Sequence, residues 1–201
     1  MPRREEAFTL IELLVVITIL GVLASLVLPL VHAGRREQNK IQCIHRVRNL
    51  VGLLEQGERY PGEGGPALLL YLVKKSELRG EDELHSLFCP GDMHESLEGA
   101  GGLAAYSDLD LGRKGELGHL TSYAGRDQTR TDCRVVRGGP GAVLLADDSE
   151  DHHEGRGYVV GLTGGSITFR DKVDQWKLDR TTAVAPGEGS VVEELRCLAP
   201  E

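Results

Sequence analysis

The chain has 201 residues, a formal net charge of −8 and a sequence pI near 5.4, so nucleic acid is not expected as a main partner: a phosphate backbone needs a basic face. Aromatic residues make up only 4% and there are 26 glycines, so the core must be aliphatic and the loops many. No G-x-S-x-G, phosphate loop, zinc-ribbon spacing or C-x-x-C is present, and no enzyme is expected.

Residues 8–31, FTLIELLVVITILGVLASLVLPLV, form one long apolar run. As a helix of 1.5 Å per residue it would measure about 36 Å, enough to cross a hydrocarbon layer of roughly 30 Å with some tilt. The run exceeds the apolar core of about 7–15 residues found in an ordinary secretory signal. Glu12 lies inside it, where a carboxylate near the bilayer centre costs about 2.5–3.5 kcal/mol and so calls for a partner charge. Pro29 removes a backbone donor and crowds the preceding turn, which predicts a helix break near residues 25–28. Beyond it, residues 32–58 carry Ile44, Val47, Leu50, Val51 and Leu54 at helical spacing, with Arg46, Arg48, Asn49 and Glu55 around the other side. Lys and Arg cluster from Arg35 to Arg48, as on a solvated helix face beside anionic lipid.

The opening MPRREEA followed by FTLIELLVVI resembles the amino terminus of type IV prepilins and type II secretion pseudopilins. That resemblance implies a leader, residues 1–7, cut by a prepilin peptidase between Ala7 and Phe8, with N-methylation of Phe8. Ala7 stands where that family has glycine. It also implies that Glu12 sets assembly register by pairing with the amino terminus of a neighbouring subunit, and that partners are copies of the chain or other pilin-like subunits and inner-membrane lipid. The implied topology is a single inner-membrane pass, the amino terminus cytoplasmic beside Arg3 and Arg4 and the carboxy-terminal domain exported. The fold class expected is α+β and pilin-like. A long amino-terminal helix, transmembrane over 8–31 and amphipathic over 32–58, packs on a small antiparallel β-sheet domain, residues 59–201.

Residues 60–66, YPGEGGP, are a breaker-rich link, and Pro66 suits the first position of a short helix to Lys75. Its run LLLYLV is too short to span a membrane and should be core. Residues 76–141 are polar and glycine-rich, and within them LFCPGD at 87–92 and TSYAG at 121–125 resemble phrases of pilin-like proteins named for an H-x9-DG motif. Residues 142–146 form an apolar run, and residues 157–162 and 166–170 flank Thr163-Gly-Gly165, which predicts a β-hairpin. The H-x9-DG resemblance is degraded here, since counting from His153 puts Thr163 where the aspartate belongs. Residues 171–178 fit a helical turn or a loop, and 191–198 a strand or short helix.

Cys43, Cys89, Cys133 and Cys197 are far apart, leaving three complete disulfide pairings, or buried free thiols, open. Asp147, Asp148 and Asp151 in DDSEDHHE are candidate ligands of a structural calcium, with Asp108 and Asp110 a weaker second set. A solvated acidic loop is the favoured reading of residues 147–154, and a metal-dependent hydrolase there is the least favoured. No other cofactor is expected. As a whole the chain reads as a pseudopilin-like or minor-pilin-like subunit of a filament or secretion machine. The alternative is a monomeric, membrane-tethered binding domain that keeps a pilin-type export signal.

Overall fold

A computed structural model describes residues 10–75, 77–92, 96–107, 109–112, 115–137, 139 and 141–200. The leader, Ala7, Phe8 and Asp108 lie outside the described residues. The chain divides into two units, residues 1–38 and 39–201.

Helix α1 runs Leu10–Gln56, 47 residues, with Pro29 inside it. In unit 1 its apolar side chains are exposed along the whole length from Leu10 to Val31. Thr18 and Ser25 turn their hydroxyls back to donate to the carbonyls of Val15 and Val22, at 2.8 and 2.7 Å. That leaves no side-chain donor facing outward there, as apolar surroundings require. The break expected at Pro29 does not occur. Proline costs one intrahelical bond, and a helix with about five turns before it and about seven after it continues through the loss.

In unit 2 the rest of α1 buries Cys43, Val47, Leu50, Val51 and Leu54, a stripe at spacings of three and four. Each fully buried aliphatic side chain contributes about 1.5–3 kcal/mol. Helix α2, Pro66–Lys74, starts at its proline and buries Leu68, Leu69, Leu70 and Leu72, so LLLYLV is core. A short α3, Glu81–Leu84, leads through a 3-10 turn at His85–Leu87 into the Cys89 loop.

The sheet has five antiparallel strands in the order β4-β3-β2-β1-β5: β1 Tyr123–Arg126, β2 Val143–Asp147, β3 Gly157–Leu162, β4 Ile167–Asp171 and β5 Leu198–Ala199. The hairpin expected around Thr163-Gly-Gly165 is β3–β4, with Gly164 and Gly165 both at positive φ, 84° and 83°. After Asp171 closes β4, residues 172–178 form turns and loop, and 191–198 resolve into a 3-10 turn at Glu193–Leu195 followed by the edge strand β5.

Two cores form, one on each face of the sheet. Tyr123, Leu145 and Val159 join α1 and α2, while Ala124, Ala146, Tyr158 and Val160 join Val184, Val192, Leu195 and Leu198. A register shift between Val143 and Leu145 sends Leu144 and Leu145 to the same core. Among the cysteines, Cys133 and Cys197 are disulfide-bonded and Cys43 and Cys89 are buried free thiols.

Gly161 marks where β3 passes beneath α1: a Cβ there would stand 2.5 Å from Val51 Cγ2 and 3.1 Å from Val47 Cγ1. The variant Gly161→Ala is therefore expected to lose about 1–3 kcal/mol of stability to overpacking, read as a lowered midpoint in thermal melts of the detergent-solubilised chain. The disulfide closes a separation of 64 residues. Replacing Cys133 and Cys197 together with alanine is expected to cost about 2–4 kcal/mol in the same melts.

Candidate functional site

The first site is the exposed apolar half of α1. This helix is long and apolar enough to cross a membrane, and Glu12 sits in the first turn described. Exposed Leu, Ile and Val side chains cover residues 10–31. A patch of that extent needs lipid or other apolar helices around it.

A second site lies inside unit 2, where four segments meet. Cys43 comes from the buried stripe of α1. Cys89 opens the turn Cys89-Pro-Gly-Asp92, closed by the Asp92 N–H donating to the Cys89 carbonyl at 3.0 Å. Asp147 ends β2 on the face of Leu145, since residues two apart in a strand share a face. His152 and His153 lie on the 3-10 turn Glu150–His153. The two phrases at 87–92 and 121–125 are neighbours here: Thr121 Oγ1 donates to the Leu87 carbonyl at 2.7 Å and Ser122 Oγ to Asp92 Oδ2 at 2.7 Å. Arg46 fastens the same loop to α1 by donating to the Phe88 carbonyl at 2.6 Å.

The Asp147 side chain is 0% exposed and engaged on both oxygens. Oδ1 accepts from the Cys43 thiol at 3.1 Å; Oδ2 meets His153 Nε2 at 3.1 Å and the Val159 N–H at 2.7 Å. His153 Nε2 is also 3.9 Å from Cys89 Sγ. His152 Nε2 lies 3.1 Å from Asp92 Oδ2 and 3.4 Å from Asp148 Oδ1. His152 Nδ1 is buried without a hydrogen-bond partner, 3.8 Å from Asp147 Oδ1.

Burial by itself raises a carboxylic acid, yet the imidazoles of His152 and His153 beside it outweigh that and hold Asp147 well below the usual carboxylate range. Burial opposes charge on the histidines too, and the Asp147 bonds overcome it, raising His153 to about 9. Asp148 is pushed up to about 7, chiefly by burial. Burial drives the Cys43 thiol well up, whereas Cys89 falls to about 5, mainly through its hydrogen bond with Cys43.

The family model described as "Prokaryotic N-terminal methylation motif" matches residues 2–28. The chain is 40% identical over 65 residues to type II secretion system core protein G of Dickeya chrysanthemi, an alignment covering 30% of this chain and 42% of that protein. No solved structure gives a significant match.

Over its amino-terminal segment the chain is similar to prepilin-type proteins, and that segment opens the long helix that precedes the antiparallel sheet.

The solvated acidic loop expected at 147–154 forms only in part: Asp151 and Glu154 are exposed, while Asp147, His152 and His153 are buried together. The three calcium candidates Asp147, Asp148 and Asp151 sit in different surroundings. Asp147 is spent on imidazoles and a backbone N–H, Asp151 is exposed, and among the described residues the three carboxylates do not converge. Asp110 is exposed and accepts the Gly112 N–H at 3.0 Å. Thr163, in place of the H-x9-DG aspartate, accepts the Ala142 N–H at 3.0 Å and so ties the hairpin to β2. The site that sequence reasoning missed is Cys43, Cys89, Asp147 and His153. The signal was present: Cys43 falls on the helical stripe four residues before Val47, and Asp147 falls two after Leu145.

Removing His152 leaves Asp92, 2% exposed, buried without its imidazole. The variant His152→Ala is expected to lose about 3–5 kcal/mol of stability, measured by thermal melting followed in near-UV circular dichroism.

Proposed function

We propose that this chain is a structural subunit, pseudopilin or minor pilin, of an envelope filament or type II secretion-like machine. In this reading a prepilin peptidase cuts between Ala7 and Phe8, Phe8 is N-methylated, and the apolar half of α1 holds the subunit in the inner membrane before assembly. Arg3 and Arg4 keep the amino terminus cytoplasmic and the sheet domain is exported. The observation that carries the reading is the methylation motif over residues 2–28, leading into a helix whose apolar side chains are exposed from Leu10 to Val31.

The mechanism follows from the solvent. In lipid, or in a filament core of packed helices, the Glu12 carboxylate and a free Phe8 amine are each costly alone and cheap together. Pairing across subunits satisfies both and fixes the axial offset between neighbouring helices. The neighbours are copies of this chain or other pilin-like subunits, and the relative from Dickeya chrysanthemi, named a core protein of a type II secretion system, supports that class of partner.

Mass spectrometry of the native protein is expected to find a mature chain that begins with N-methylated Phe8. An intact Met1 and no pilin-like partners would instead favour a monomeric, membrane-tethered domain. Glu12→Val is expected to lower incorporation into assembled filaments at least tenfold, because about 1.4 kcal/mol suffices for that factor and an unpaired buried ion costs more. Assembly at parental levels would remove the register role.

A further inference from the structure

We propose that Cys43, Cys89, Asp147 and His153 form a structural binding site for one zinc-class divalent metal ion, clamping α1 to the sheet domain. All four are buried, and their ligand atoms lie within 4.8 Å of one another.

The spacing is that of a tetrahedral shell. Bonds of about 2.0–2.3 Å to nitrogen, oxygen and sulfur place ligand atoms about 3.3–3.8 Å apart along the edges of a tetrahedron. The distances here are 3.1 Å from Cys43 Sγ to Asp147 Oδ1, 3.1 Å from Asp147 Oδ2 to His153 Nε2 and 3.9 Å from His153 Nε2 to Cys89 Sγ. The remaining pairs lie within 4.8 Å, so drawing the four groups onto one ion takes side-chain shifts of up to about an ångström.

Donor chemistry selects the ion. Two thiolates, an imidazole and one carboxylate suit a borderline-soft ion such as Zn2+, whereas calcium takes six to eight oxygens. Four protein ligands fill a tetrahedron and leave no position for water or substrate, so the site is structural. Both sulfurs bind as thiolates, so binding exchanges the Cys43 thiol proton, any proton still on Cys89 and the proton between His153 and Asp147 for the ion; no electrons move.

Metal-free, the same four groups make a poor core. Cys43 Sγ, 3.1 Å from Asp147 Oδ1, has one proton to donate, and the buried Cys89 Sγ meets His153 Nε2 only at 3.9 Å. A second layer surrounds the four. The Val159 N–H orients Asp147, and buried His152 stands behind it with an unpartnered Nδ1. The segments joined are a helix, the Cys89 turn, the end of β2 and the 3-10 turn before β3, so one ion would replace packing that no single pair of elements provides.

The test uses the full chain, purified in detergent without a polyhistidine tag and kept reduced until analysis. Elemental analysis after dialysis against Zn2+ is expected to give one equivalent per chain. Replacement by Co2+ is expected to give the intense visible bands of a tetrahedral ion with thiolate charge transfer. The paired variant Cys43→Ser with Cys89→Ser is expected to lose both signals, while Cys133→Ala with Cys197→Ala keeps them. The cobalt spectrum of the parent needs no variant to fold. A parent chain that holds no stoichiometric Zn2+ or Co2+, that binds Ca2+ alone, or that is isolated with a Cys43–Cys89 disulfide overturns the proposal.

Discussion

One buried carboxylate organises the globular unit. Asp147 is removed from water altogether, and an ionised group there is tolerable only if it is paired and hydrogen-bonded on every side. Its partners come from α1, from the turn before β3 and from β3 itself, through Cys43, His153 and the Val159 N–H. Satisfying one side chain therefore fixes the helix against the sheet, in register as well as in contact. An aliphatic residue at this position would bury as well but would choose no such neighbours.

The same chain meets two solvents along one helix. Around residues 10–31 the side chains are apolar all round and even the hydroxyls bond inward, as a segment without water must have them. From residue 39 onward only one stripe is apolar, and the charged residues occupy the rest. Pro29 removes one backbone donor, and the helix nevertheless continues past it.

Much of the fold was legible because its signals are local. The stripe of α1, the proline that begins α2, and the two glycines at positive φ between β3 and β4 each depend on residues close in sequence. Residues 76–141 were not legible, since most of that stretch is turns held by bonds such as Ser122 Oγ to Asp92, thirty residues apart. The acidic run 147–154 misled for a related reason. Charge density suggested solvent, but the two-residue period of β2 turns Asp147 inward and the following turn brings both histidines back over it.

By itself the sequence determined the amino-terminal segment, because an apolar run with a single acid inside it carries its meaning in order and composition alone, whatever the remainder folds into. It also determined the helical stripe and the hairpin, which are periodic. Only the tertiary structure decided that Cys133 pairs with Cys197 and that Cys43 and Cys89 stay free to face Asp147 and His153. Those groups are separated by up to 110 residues of chain, from 43 to 153, and no local pattern encodes a meeting that depends on how a helix settles on a sheet.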